Sequence, residues 1–187
     1  MLLLQIYLFL GLVLHKVIWE VLRARAGAAE EARPSTSVSF VKVVKIGILV
    51  GILVQIWLPD VLPITNDPAI IRLCGTVLFT LGLLIAITGR VQLGDNWSNI
   101  ETGRVLNKQD VVDHGLYGYI RHPIYTGDLL LLIGLELALN SWLVLGALLL
   151  CPIVMWKAIK EEQMLLQQLK GYVDYHRRTK RFIPFVI

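Results

Sequence analysis

The chain has 187 residues, enough for one ordinary domain, and combines 56% hydrophobic with only 17% charged residues, a balance outside that of water-soluble domains. Its 18 basic against 14 acidic side chains leave a net charge of +4, and no basic–aromatic module accompanies that surplus, which excludes a nucleic-acid-binding reading. An integral membrane protein remains, the basic excess serving as topology signal and as attraction to anionic headgroups.

Residues 2–19 form the first apolar run, interrupted only by Gln5, His15 and Lys16. No basic stretch precedes it and its apolar length exceeds that of a cleaved leader, so it reads as an uncleaved anchor. Residues 20–37 follow as a helix end and a linker broken at Pro34, carrying Arg23, Arg25 and Arg33. Runs two and three cover 38–58 and 69–94. Lengths near ~20 residues match the ~30 Å hydrocarbon core at ~1.5 Å per residue. Within the second run, Gly47 and Gly51 have the spacing of a helix-packing seam.

The connection at 92–121 is long, holds Gly94, Gly103, Gly115 and Gly118, and has the length of a functional loop. Residues 128–156 are apolar again, but as one helix they would reach ~43 Å, too long for an upright crossing. Asn140-Ser141 supplies a turn, giving a hairpin of 124–139 and 142–160. Glu136 and Asp128 are acids in or at this span, functional candidates by default, with Glu136 expected to snorkel toward the outer interface.

Charge placement tests the hairpin. Loop 59–68 (PDVLPITNDP) and the 140–141 turn contain no Lys or Arg, whereas Arg23, Arg25, Arg33, Arg90, Arg104, Lys108, Arg121 and the stretch from Lys157 to Arg181 fall on the other side. Cytoplasmic loops carry the Lys/Arg excess, so the pattern requires five crossings with the N-terminus outside and the C-terminus cytoplasmic. The expected fold is all-α and polytopic, one membrane domain over 1–187. Three N-terminal helices occupy 1–90, and 91–187 carries the motifs, the hairpin and the tail. The tail has helical periodicity, extending the fifth helix or following it as an amphipathic helix, with a break near Gly171. Cys74 and Cys151 lie in apolar runs without metal-ligand spacing, so neither a metal nor a disulfide is indicated.

The polar residues are concentrated around RHPIYTG, residues 121–127. Pro123 suits the first turn of a helix. Arg121 and His122 can be ordinary interfacial residues, yet a cation at a helix N-terminus opposes the macrodipole. An anion held by Arg121, His122 and the first-turn N–H groups would satisfy all of them, a carboxylate or phosphate being the natural guest. Glu161 and Glu162 point ~100° apart on a helix. One can face a pocket, gripping vicinal hydroxyls or a cation, while the other faces solvent or a basic partner; Lys157 and Glu161 also make an i,i+4 pair. Tyr117, Tyr119, Tyr125, Tyr172 and Tyr175 belong mainly to an interfacial belt, with one or two able to flank a purine or a cationic centre.

In this order, Gln92-Leu93-Gly94 with Trp97-Ser98, Gly115-Leu116-Tyr117, Arg121-His122-Pro123 with Tyr125 and Gly127, Glu161-Glu162, Tyr172 with Tyr175, and Arg181-Phe182-Ile183-Pro184-Phe185 resemble the isoprenylcysteine carboxyl methyltransferase family. That family is related to the phospholipid methyltransferases, and this chain looks like a short, prokaryotic-type member. The resemblance covers residues 90–187. It implies S-adenosyl-L-methionine as methyl donor, bound on the cytoplasmic side by the loop before the fourth helix, the RHP turn and the C-terminal helix. Carried over by position, the cofactor shell comprises Gln109, Val111, Val112, Gly115, Tyr117, His122, Pro123, Tyr125, Glu161 and Glu162. The catalytic set is Arg121, Glu161 and Lys157, Lys157 standing where eukaryotic members carry arginine. The acceptor implied is a lipophile entering from the bilayer, a prenylcysteine-like carboxylate by preference. The alternatives are a phospholipid or other lipid amine, an NADPH-dependent sterol-type reductase, and a non-catalytic lipid-binding protein.

Overall fold

The computed structural model describes residues 1–25, 36–58, 60–96 and 109–184. The expectations at Arg33, Pro34, Trp97, Ser98, Gly103, Arg104, Lys108 and Phe185 lie outside the described residues. Along the chain run α1 (Leu2–Arg25), α2 (Thr36–Trp57), α3 (Ala69–Leu93), α4 (Pro123–Ala138), α5 (Val144–Gln168) and α6 (Tyr172–Arg178). Short 3-10 turns occupy Gly94–Asn96 and Gly115–Gly118. Among the described residues there is no β-strand, only isolated bridges.

The exterior is apolar. Leu3 is 83%, Ile70 78% and Leu149 71% exposed, which suits a hydrocarbon solvent and would cost heavily in water. By length and composition, Leu2–Arg25 and Ala69–Asn96 are long and apolar enough to cross a membrane; Ile46–Trp57 is a shorter apolar stretch.

The centre of the fold is the antiparallel pair α3–α4, and glycine sets its spacing. A Cβ added at Gly82 would fall 2.2 Å from the Leu131 nitrogen, and one at Gly134 would fall 2.2 Å from the Phe79 nitrogen. Gly75 and Gly127 approach Ala138 and Ala86 as closely, at 2.2 and 2.4 Å, and Gly89 meets Ile124 less tightly at 3.2 Å. The glycines recur every seven residues on both helices, so one stripe of each faces its neighbour along the whole contact. The seam is therefore here and not at Gly47 and Gly51, where an added Cβ would meet nothing within 4 Å. Those two glycines correct the expectation for α2: spacing alone does not show which face a neighbour covers.

α1 lies against α3, the Phe79 ring filling the space beside Gly11 and the Tyr7 hydroxyl lying 2.6 Å from Thr80 Oγ1. Leu8, Ile56, Phe79, Leu83, Leu131 and Leu135 form the core.

At one end of the hairpin, Asn140 and Ser141 turn the chain between α4 and α5. Asn140 adopts φ 57°, a left-handed conformation that asparagine tolerates better than most residues. Its Nδ2 donates to Asp60 Oδ1 and to the Thr65 carbonyl, both at 2.9 Å, and its Oδ1 accepts from the Thr65 N–H at 3.2 Å. The loop that the charge pattern assigns to the same face thus meets this turn directly. Glu136 does not snorkel: it is 4% exposed and accepts a 2.8 Å hydrogen bond from Gln55 Nε2. An acid with an amide partner on α2 gains more from that bond than from reaching the interface.

Candidate active site

The opposite end gathers the C-terminus of α3, the start of α4, the end of α5 and α6. Pro123 occupies the first turn of α4 and is fully buried. Ahead of it, residues 119–122 pair with 180–181 in a short parallel contact: Arg121 N–H donates to the Lys180 carbonyl (2.8 Å), Lys180 N–H to that of Tyr119 (3.1 Å), and His122 N–H to that of Arg181 (3.1 Å). The Tyr175 hydroxyl donates to the Tyr117 carbonyl at 2.9 Å, and Arg178 pairs with Asp113. The C-terminal segment is thereby strapped across the RHP turn.

Glu162 is the hub of that strap and is 2% exposed. Arg121 Nε donates to its Oε1 at 2.9 Å, His122 Nε2 lies 3.0 Å from the same oxygen, Arg181 Nη2 donates to Oε2 at 2.7 Å, and His176 Nε2 stands 3.4 Å away. Burial alone would raise the Glu162 pKa, but the hydrogen bonds from His122, Arg181 and Arg121 outweigh it and hold the carboxyl well below the usual carboxylate range. Arg121 also donates to the carbonyls of His176 and Thr179, and its side chain is 6% exposed. The anion foreseen between Arg121 and His122 is therefore the protein's own Glu162. Arg121 thus directs its Nε to Glu162 and its Nη1 to the carbonyls of the strap.

Glu161, one residue earlier, has the opposite surroundings. Its Oε2 accepts from the Tyr125 hydroxyl at 3.0 Å and lies 3.8 Å from His122 Nδ1. Its Oε1 accepts no hydrogen bond among the described residues, and the side chain stays 21% exposed. Glu161 lies beyond residue 160, where the expected span ends. Burial raises its pKa above the usual carboxylate range, the repulsion of Glu162 adding to this and His122, Tyr125 and Lys157 opposing it. Lys157, one turn earlier on α5 and half-buried, holds its ammonium 5.8 Å from the Tyr125 ring centre. Tyr125 stacks on His122 at 5.4 Å and 9°, and the Phe182 ring lies tilted against the imidazole at 5.7 Å.

Of the remaining candidates, Tyr117 is buried at 6% exposure, its phenol pushed up by that burial. Val111 packs with Leu165, Tyr172 and Tyr175 beneath α6, and Val112 and Gln109 are part-buried nearby in sequence. Gly115 has φ 59°, and a Cβ there would fall 2.1 Å from Gln92 Nε2. Gln92 in turn accepts the Leu116 N–H at 2.9 Å, so the quoted Gln92 and Gly115 form one lock. Arg181, His176 and Phe182 join the site without being among the residues that the sequence singles out for it. Arg181 and Phe182 sat in the quoted closing stretch, but nothing local links them to a glutamate on α5.

A family profile described as phospholipid methyltransferase matches residues 70–171, more than half of the chain. The chain belongs to that family. Among individual relatives, the protein-S-isoprenylcysteine O-methyltransferase of Schizosaccharomyces pombe is 28% identical over 112 residues, covering 57% of this chain and 46% of the relative. The cobalt-zinc-cadmium resistance protein CzcN of Cupriavidus metallidurans is 32% identical over 114 residues, covering 58% and 50%. The chain spans about half the length of these curated relatives. A solved structure of the eukaryotic intramembrane Ras methyltransferase, isoprenylcysteine carboxyl methyltransferase, superposes with a TM-score of 0.61 at 21% identity, over 93% of this chain and 63% of that one. At that identity the likeness is one of fold, a helical membrane-protein fold.

Proposed function

We propose that the chain transfers a methyl group from S-adenosylmethionine to a lipophilic acceptor at the membrane, by preference the carboxylate of a prenylcysteine-like substrate. Family membership supports the reaction class. The observation that carries the site is the contrast within the glutamate pair: Glu162 is saturated by protein cations, whereas Glu161 keeps an oxygen free beside Tyr125 and Lys157. The proposed topology is five crossings with the N-terminus outside and this site cytoplasmic. In support, α1 starts near the Asn140 end, where Gln5 bonds the Ile56 carbonyl at 2.9 Å, and runs toward the glutamates.

These residues fit the donor. Glu161 would accept from ribose hydroxyls, Lys157 would face an anionic group, and the rings of Tyr125 and Tyr117 offer aromatic walls, cation-attracting where a ring face is presented. Gln109, Val111, Val112, Gly115, His122 and Pro123 complete the proposed shell, His122 and Pro123 by fixing the turn. When bound, the donor supplies an electrophilic methyl on a sulfonium centre. The protein's task is then alignment and exclusion of water, which can lower a barrier by many kcal/mol. Arg121 and Glu162 serve it indirectly, by locking the turn and the strap together.

A carboxylate acceptor is already deprotonated and needs no base. One observation favours a second reading, a lipid amine: the raised proton affinity of Glu161 suits it to take a proton from an ammonium group. Purified protein with radiolabelled S-adenosylmethionine separates them. Label in N-acetyl-S-farnesylcysteine is the expected result. Label in phosphatidylethanolamine alone moves the assignment to the amine. Binding of NADPH without binding of the donor turns it to a reductase, and binding of neither to a lipid-binding protein.

A further inference from the structure

Asp128 is an acid placed among leucines on α4, one turn beyond Tyr125, and the roles above leave it unused. Its side chain is 43% exposed, on a helix whose surroundings are apolar. A carboxylate inside a span is costly and persists where it has work to do. Asp128 is held from another helix: His15 Nε2 of α1 lies 3.1 Å from its Oδ1. His15 is itself backed by the Trp19 ring, stacked at 5.9 Å and 25°, and Trp19 carries the Arg90 guanidinium 5.5 Å from its centre. One oxygen is thus oriented by an imidazole that the Trp19 ring backs. Oδ2 accepts no hydrogen bond among the described residues. Asp128 stands three residues after Tyr125 on α4, and the Tyr125 hydroxyl is bonded to Glu161.

The geometry points to Asp128 as the residue that selects the acceptor, its free oxygen accepting a hydrogen bond from an N–H in the acceptor's head group at the lipid-facing side of the site. This rests on the methyltransferase reading for the identity of the site. A carboxylate so placed repels a bare anionic head and attracts an N–H dipole or an ammonium. Two lipophile types carry that chemistry: an acylated amino acid, whose amide N–H adjoins its carboxylate, and an aminophospholipid. His15 is a positioning residue in this arrangement, fixing which oxygen points outward.

The test is equilibrium binding to the full chain in phosphatidylcholine nanodiscs, without donor. The probes are N-acetyl-S-farnesylcysteine, the corresponding farnesyl thioether carboxylate lacking the nitrogen, and phosphatidylethanolamine. The wild type should bind at least one N–H-bearing probe at least tenfold more tightly than the nitrogen-free one, the loss expected when a charged acceptor goes without its donor. Asp128→Leu should abolish that difference by weakening only N–H-bearing probes. Asp128→Asn, which keeps a carbonyl oxygen and is the milder change, should weaken an ammonium head more than an amide head, so the more affected probe names the source. An unchanged ratio in the variants, or equal weakening of all probes, overturns the proposal and leaves the His15–Asp128 pair as a pin between α1 and α4. Because binding is read without turnover, a failure here does not touch the methyl-transfer reading, and absent turnover does not touch the binding result.

Discussion

The two ends of the α3–α4 pair are both rich in polar groups, but they are finished differently. At the Asn140 end the polar side chains close on one another: Asn140 bonds Asp60 and Thr65, Glu136 bonds Gln55, and Arg72 bonds Asp60. At the glutamate end the same economy applies to Glu162 but stops there. Glu161 and Asp128 each have one oxygen engaged and one without a hydrogen bond among the described residues. Polar groups inside or beside a membrane are normally satisfied because leaving them unmet costs several kcal/mol. At the Asn140 end the carboxylates and amides named are met by protein partners, and one buried donor, Arg72 Nε, has none among the described residues. The end with open acceptors, by contrast, is where a ligand can complete the set.

The largest effect should come from breaking the closed part of the open end. Glu162→Ala would leave Arg121 and His122 buried without their anion, a change that typically costs about 3–5 kcal/mol. Thermal unfolding in detergent should show it as loss of the cooperative transition or a large fall in midpoint. The pH dependence has a fixed sign. The Glu162 carboxyl is held below its unfolded value, so its stabilisation is complete above that unfolded value, ~4.3, and is lost as pH falls toward the folded one. Wild-type stability should therefore fall with acidification below about pH 4.3, and Glu162→Gln should show a shallower acid slope.

Next in size is the open carboxylate. Glu161→Gln keeps the shape and the Tyr125 contact while removing the charge, so binding of S-adenosylmethionine should weaken by about 100-fold, near 2.7 kcal/mol. The melting midpoint should stay within a few degrees of wild type. Calorimetric titration of the donor checks the first, and a thermal melt the second. If Glu161→Gln destabilises as much as Glu162→Ala while donor affinity holds, the distinction between the two carboxylates is wrong.

The hairpin turn was legible because length and charge agreed: the apolar stretch was too long to cross once, and Asn140-Ser141 had no Lys or Arg beside it. The nearness of the RHP turn to the glutamate pair was legible through the motif order. Which glutamate does what was not. Arg121 meets Glu162 across 41 positions of sequence, and the partners Arg181 and His176 come from a strap whose path no local pattern encodes. Glu136 departs from its expected interfacial place for a similar reason, since its partner Gln55 lies on another helix. The glycine seam is the instructive failure. Gly75, Gly82 and Gly89, with Gly127 and Gly134, have a seven-residue period in plain view, whereas Gly47 and Gly51 offer a single four-residue spacing. Period over several turns identifies a packed face; one short spacing does not.

The smallest expected effect tests the closed end. Asn140 does two things there, tolerating φ 57° and bonding Asp60 and Thr65. Asn140→Gly preserves the first and removes the second, so it isolates the hydrogen bonds. Part of that turn is exposed enough for water to replace the lost partners, while Asn140 itself is 1% exposed. The net loss should be about 1–2 kcal/mol, read as a lowered melting midpoint. Asn140→Ala should cost about 1 kcal/mol more, because it adds the left-handed backbone penalty. Donor affinity should be unchanged in both, since the turn lies at the far end of the hairpin. A fall in donor affinity with an intact melt would mean that the two ends communicate through the seam, and that the Asn140 end is more than a closure.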